Sequence, residues 1–347
     1  MKKWNGIINR ENNLNILRFF AALLVIFSHA YVLTTNETDP IAKATRGQTT
    51  GGQLAVLLFF FFGGLLIMKS MESKKTAKAF FSARVKRIFP PLWIVVLLCA
   101  FALGPILSTL SFPDYIRNGG TWKYLLNGLL IPIHPLPGVF EGNIYGPAVN
   151  GSLWTLPVEF ACYILCWLFY RLGLTEPRKA LICTPLVIAA AAGGWILTRN
   201  NPVLQSAVLP VLFFYLGMIC YLFRTRIPMN GALALAAAAL LVLSVFCGVF
   251  TAALCIFYPY ILLYLGFGTR VKLSGFGQKL ELSYAIYLTA FPAQQTLVQF
   301  HPGMSPLVHF LLASCIAAAV SVPVTLLDKK INGFLNGRRK TAAGRQA

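Results

Sequence analysis

Apolar residues are not spaced along this chain as single faces of amphipathic helices. They form long blocks, broken by short polar turns that hold most of the charge. Ten blocks approach bilayer length, at about 14–35, 52–68, 88–110, 150–170, 179–198, 203–223, 231–249, 251–267, 281–300 and 304–327. A helix needs about 20 apolar residues to cross the hydrocarbon core, so each block predicts a membrane-spanning helix. The expected fold is an all-α integral membrane protein, a single bundle of about ten transmembrane helices. One membrane domain over 1–340 and a short basic tail over 341–347 account for the chain.

Composition agrees. Of 347 residues 57% are hydrophobic and 12% charged, and mean hydropathy is +0.69. Soluble domains carry about 25% charged residues. The net charge of +20 raises the question of nucleic acid, and the placement of the basic residues answers it. With the N-terminus in the cytoplasm, ten spans put 25 of the 30 Lys and Arg on the cytoplasmic side. Only Lys43, Arg46, Arg117, Lys123 and Arg199 fall outside. That asymmetry is the positive-inside rule, and it places both termini in the cytoplasm. The basic charge thus serves topology and anionic-lipid contact, with no nucleic-acid partner. The first span reads as a signal anchor rather than a cleaved leader. All eight cysteines lie in apolar segments without a CxxC pair, so neither disulfide nor metal site is expected.

Against this background a few polar residues are out of place. Arg18 and His29 both sit in the first span, about 16 Å apart along a helix. Ionisable groups in membrane spans are costly and usually mark function. Glu159 lies in the fourth span at a depth about 13 Å below the outer face, against about 9 Å for His29. A carboxylate that orients an imidazole makes a general base. Pro157, beside it, is expected to interrupt the local helix. Arg84 and Arg87 share a helix face at the inner surface, where paired guanidiniums suit phosphate. Each feature has a plain structural alternative. His29 and Glu159 can be helix–helix hydrogen-bond formers, Arg18 can snorkel, and Arg84 and Arg87 can be ordinary inner-face charges. The longest loop, about 111–150, lies outside; its apolar patch Tyr124–Pro132 predicts a re-entrant or interfacial helix.

Several segments in order resemble the acyltransferase 3 family of bacterial membrane acyltransferases, which modify surface polysaccharides and related glycans. They are Arg18-x10-His29; Ala55–Ile67 with its run of phenylalanines; Arg84-Val-Lys-Arg87; Gly151-Ser-Leu-Trp-Thr-Leu-Pro-Val-Glu159; and Ser283-Tyr-Ala-Ile-Tyr-Leu288. The chain departs from the family pattern at three places. Leu57 and Leu58 stand where an acidic residue is common, Gly63-Gly64 replaces Ser-Gly, and Thr289-Ala290 follows where many members have a histidine.

The resemblance implies a membrane O-acyltransferase of the bacterial cytoplasmic membrane. It would take an acyl group, most simply acetyl, from cytosolic acyl-CoA to a hydroxyl of a surface or lipid-linked glycan. Arg84, Arg87 and Arg18 would hold the donor phosphates. His29 would be the base, supported by Glu159, with direct attack and an acyl-enzyme route both open. Asn150, Ser152 and Trp154 would shape the acceptor mouth. Tyr284 and Tyr287 would line the pocket, unless they are core aromatics. Hydropathy alone also admits a glycolipid transporter or flippase with Arg18, His29 and Glu159 as a proton relay, or a membrane scaffold.

Overall fold

The computed structural model describes residues 11–73 and 76–343, with side chains to residue 336. Lys2, Lys3, Arg10, Lys74, Lys75 and residues 344–347 lie outside the described residues, as do the side chains of Arg338, Arg339 and Lys340. All ten apolar blocks are helical. They form α1 (Leu14–Thr35), α2 (Gly51–Ser73), α3 (Ala77–Leu107), α4 (Gly151–Arg171), α5 (Pro177–Leu197), α6 (Pro202–Leu222), α7 (Gly231–Phe246), α8 (Phe250–Gly268), α9 (Ser283–Phe300) and α10 (Pro306–Ala343). Among the described residues there is no strand, only an isolated bridge between Pro135 and Ala148. The protein is an all-α, multi-pass membrane protein.

Eight of these helices are long and apolar enough to cross a bilayer. The other two fall short for different reasons. Helix α7 has 16 residues, a rise of about 24 Å against a core of about 30 Å. It stops at Phe246 rather than near 249 because Gly248 takes a left-handed backbone, φ 70°. Helix α9 has 18 residues but carries Gln294, Gln295 and Gln299.

The described residues fall into two compact units. The first takes those of Met1–Ser28, Thr38–Phe80 and Val158–Gln278. Its tightest contact is between α2 and α6. A Cβ on Gly64 would lie 1.9 Å from the Phe214 carbonyl oxygen, and one on Gly217 2.0 Å from that of Phe61. Small residues let membrane helices approach backbone to backbone. The second glycine of Gly63-Gly64 is therefore required by packing. Asn13, just before α1, is tied to the end of α8: its amide donates to the carbonyls of Leu265 (3.2 Å) and Val271 (3.1 Å), where α8 ends in a π-helical turn.

Asp39 is the second knot of the first unit and is 1% exposed. Its carboxylate accepts from the backbone N–H of Ala42 (2.9 Å), capping the short helix Pro40–Ala44, and of Gly51 (2.9 Å), at the start of α2. It also accepts from the Ser28 hydroxyl. One carboxylate thus satisfies donors from three successive segments, leaving no buried orphan among them.

The second unit takes His29–Glu37, Phe81–Pro157 and those described from Lys279 onward. Three of its helices contain internal prolines, and a proline leaves the carbonyl four residues earlier without its helical donor; two of these carbonyls are answered by asparagines. Pro90 frees the carbonyl of Lys86, which accepts from the Asn332 amide of α10 at 3.2 Å. Pro292 frees that of Leu288, which accepts from the Asn150 amide at 2.8 Å. Asparagine replaces the missing N–H in both cases. Helix α3 therefore runs through Pro90 and Pro91 and begins at Ala77, so that it takes in Arg84 and Arg87 ahead of the apolar block from about 88.

Near its C-terminal end α3 widens into a π-helical turn, Cys99–Leu103. The Tyr115 hydroxyl donates to the Ala100 carbonyl there at 2.7 Å. Burial pushes the Tyr115 pKa up to about 12, which keeps that donor protonated at any physiological pH. The segment after α3 folds into short helices, Phe112–Arg117, Gly119–Tyr124 and Leu125–Leu129. The expected helix over Tyr124–Pro132 is thus only a short 3-10 piece. Buried Asn127 ties it off by bonding Tyr124 and Ile133 backbones, and Leu130 ends it with φ 65°.

Candidate active site

The sequence-predicted residues divide between the two units. Arg18 and Glu159 belong to the first; His29, Arg84, Arg87, Asn150, Ser152, Trp154, Tyr284 and Tyr287 belong to the second. Within the second unit, five of these eight, His29, Asn150, Ser152, Tyr284 and Tyr287, can be placed by the contacts they make.

His29 lies on the last two turns of α1 and is half-buried. Its ring meets Phe291 of α9 edge to face, with centroids 5.2 Å apart and planes at 81°. Its Nδ1 is buried and makes no hydrogen bond among the described residues. Phe291 also packs on Tyr145, at 5.8 Å. A Cβ on Gly151 would come within 2.8 Å of the same ring. Phe291 is thus the common wall between the histidine and the Asn150–Trp154 turn.

That turn is a 3-10 helix, Gly151–Trp154, capped by Asn150. Asn150 is fully engaged: its Oδ1 accepts from the Ser152 N–H at 3.2 Å while its amide serves Leu288. Tyr287 is engaged as well. Its hydroxyl donates to the Ser152 carbonyl (3.0 Å) and shares a 2.8 Å hydrogen bond with the Thr155 hydroxyl. Ser152 differs, because its own hydroxyl is buried and has no partner among the described residues. Trp154 is half-buried beside it. An unmade buried hydrogen bond costs about 1–3 kcal/mol. His29 Nδ1 and Ser152 Oγ are two such atoms, on residues that flank one aromatic ring.

Pro157, expected to interrupt its helix, instead lies in the first turn of the α-helical part, which starts at Thr155. An N–H there has no intrahelical acceptor, so proline is tolerated. Glu159 follows in the first unit, where its carboxylate accepts from the hydroxyl of buried Tyr163, one helical turn further on. Arg18 is half-buried on α1.

Arg84 is buried and Arg87 half-buried, one turn apart on α3. The basic stretch is held in place on two sides. Tyr284, at the start of α9, donates to the Ile88 carbonyl at 3.2 Å, and Lys86 reaches Asn336 of α10. Tyr284 therefore buttresses the arginine-bearing helix, whereas Tyr287 braces the turn at Ser152.

Sequence reasoning passed over Gln295, which is 0% exposed. Its amide donates to the carbonyls of Gly146 (3.0 Å) and Ala148 (2.9 Å), and it accepts from Asn143 at 2.8 Å. It fixes the strand of chain that leads to Asn150. The signal was visible: adjacent glutamines in an otherwise apolar helix must find partners.

A family model described as an acyltransferase domain matches residues 11–326. The chain belongs to the acyltransferase 3 family. It is similar to the O-acetyl transferase of Shigella phage Sf6, 27% identical over 315 residues that cover 86% of this chain and 90% of that protein. It is also similar to acyltransferase MdmB of Streptomyces mycarofaciens, 31% identical over 182 residues, 52% of this chain and 45% of that protein. Nodulation protein 10 of Rhizobium leguminosarum bv. viciae is 24% identical over 235 residues, 62% of this chain and 61% of that protein. No solved structure matches. The protein is an acyltransferase enzyme of the membrane.

Proposed function

We propose that this acyltransferase moves an acyl group, most simply acetyl, from cytosolic acyl-CoA to a hydroxyl of a cell-surface or lipid-linked glycan. Transfer takes place toward the outer side of the bacterial cytoplasmic membrane. The chain crosses ten times, with α7 and α9 completing the count and both termini in the cytoplasm, as the charge asymmetry requires. The membrane domain extends through about residue 340.

The observation that carries this reading is the buried, unpartnered Nδ1 of His29 in a member of an acyltransferase family. A ring nitrogen without a protein partner is free to take a proton from a substrate. In the reaction His29 accepts the proton of the acceptor hydroxyl. The acceptor oxygen bonds to the thioester carbonyl carbon, the carbon–sulfur bond breaks, and the departing CoA thiolate takes the proton back. Glu159 is the carboxylate assigned to steady the imidazolium, on the depth argument from the sequence. Arg84 and Arg87, with Arg18, bind the donor phosphates. Ser152 offers the hydroxyl that contacts the acceptor, while Asn150, Trp154, Tyr284 and Tyr287 hold the surrounding wall. The similarity to a protein named O-acetyl transferase supports acetyl as the group moved.

Purified protein in lipid, given labelled acetyl-CoA and a panel of glycan acceptors, should release free CoA only when an acceptor is present. Absence of acceptor-dependent release across the panel, with longer acyl donors included, overturns the assignment.

A further inference from the structure

One cavity of the second unit has no part in the reaction as described. It occupies about 400 Å³ between α3, α9 and α10, with walls that include Leu98, Leu103, Ala293, Leu297, Ile316 and Val320. Along α9 it runs from Thr289 to Phe300, about 17 Å of helix, and reaches His301 just beyond. Its α3 wall is the π-helical turn at Cys99–Leu103, a distortion frequent at functional sites.

Apart from His301 at one end, the chemistry of the lining is hydrocarbon. Two threonines border it, yet both hydroxyls turn back onto their own helix. Thr289 donates to the Ala285 carbonyl at 2.9 Å, and Thr296 to that of Pro292 at 2.8 Å. Their methyl groups remain for the cavity. Leu98, Phe300, Ile316 and Val320 on its rim are exposed, so in a bilayer the cavity communicates with lipid rather than water.

Its position relates it to the candidate base. Pro292, in the cavity wall, follows Phe291, whose ring lies against His29. In the topology proposed above, the Phe300 end of α9 is the outer end. A chain lying along α9 would keep its head at the face from which the acceptor arrives, within one helix of the catalytic base.

We propose that this cavity seats the hydrocarbon anchor of a sugar-headed lipid, the acceptor of the transfer. This deepens the proposed function and rests on it. Anchoring converts the second contact, sugar to active site, into an intramolecular one at millimolar effective concentration.

The test uses the full chain in phospholipid nanodiscs and a hexadecyl glucoside with a mid-chain diazirine. After illumination, labelled peptides should concentrate on residues 95–103, 289–301 and 316–320. Unlabelled hexadecyl glucoside should compete, and methyl glucoside should not. The same diazirine chain on phosphocholine should label these peptides no more than other lipid-facing helices. Filling the cavity with Ala293→Trp should lower specific labelling about tenfold, the contact of about two methylene groups. Val320→Phe attacks the opposite wall, and an unfolding midpoint for each variant separates loss of binding from loss of fold. Uniform labelling, equal labelling by the phosphocholine probe, competition by palmitoyl-CoA in place of the glycoside, or labelling unchanged in both folded variants each overturns the proposal. Because labelling needs no turnover, a specific site in a protein without acyl transfer would count against the function alone. Non-specific labelling in an active enzyme would count against the cavity alone.

Discussion

Asn150→Ala should be among the most damaging single-atom-group losses in the second unit, and the reason is a proline on another helix. Pro292 has no N–H to give the Leu288 carbonyl, and the Asn150 amide at 2.8 Å takes its place. Asn150 is 1% exposed, so water does not substitute once the amide is removed. The stranded carbonyl costs about 1–3 kcal/mol and the lost cap on the Gly151–Trp154 turn about 1 kcal/mol more. Together that is about 2–4 kcal/mol, or about 30- to 700-fold in the folding equilibrium. Unfolding titrated with SDS in mixed micelles reads this directly. The decisive arm is the double variant Asn150→Ala/Pro292→Ala, where residue 292 regains an N–H for Leu288. The cycle should show a coupling above about 1 kcal/mol, with the double variant more stable than Asn150→Ala alone. A cost below about 0.5 kcal/mol for Asn150→Ala, or an equal cost in both backgrounds, would refute the reasoning.

Three further outcomes follow from the same geometry. Gly64→Ala places a methyl 1.9 Å from the Phe214 carbonyl and must force α2 from α6; thermal melting should register a loss of about 1–3 kcal/mol or more. Asp39→Ala removes the acceptor for Ala42, Gly51 and Ser28, and should cost about 2–4 kcal/mol in the same titration, with Asp39→Asn intermediate because only one of its two terminal atoms accepts. Arg87→Ala should raise KM for acetyl-CoA about ten- to a hundredfold while kcat changes little, as expected for a charged hydrogen bond to donor phosphate; an unchanged KM would remove Arg87 from the donor site.

The helices were legible because bilayer length and apolar composition leave little choice, and all ten segments fold as helices. Their limits were less so. Hydropathy marks only the apolar block from about 88, whereas the helix begins at Ala77, and only the tertiary structure supplies the Asn332 amide that answers the carbonyl left open by Pro90. The Tyr124–Pro132 patch looked like a helix by hydropathy, but Asn127 bonds backbone on both sides of it and turns the chain. At the site, Arg18, His29, Arg84 and Arg87 stood out as charges or titratable groups in apolar surroundings. Asp39 did not, since a carboxylate next to Pro40 reads as an ordinary surface turn until its three donors are seen. Asn150 and Tyr287 stood out as polar residues expected near the substrate; their hydrogen bonds to the Gly151–Trp154 turn could be seen only in the structure. Phe291 carried no signal at all, because one more phenylalanine among 27 is unremarked until His29 is found against it.

The central claim is that His29 is the base for acyl transfer, and His29→Asn tests it most directly. Asparagine keeps a polar group of modest size at the Phe291 wall but cannot take up the proton. Acceptor-dependent CoA release from labelled acetyl-CoA should fall about 10²–10⁴-fold, with the unfolding midpoint unchanged. A folded His29→Asn protein that turns over at the wild-type rate would contradict the account.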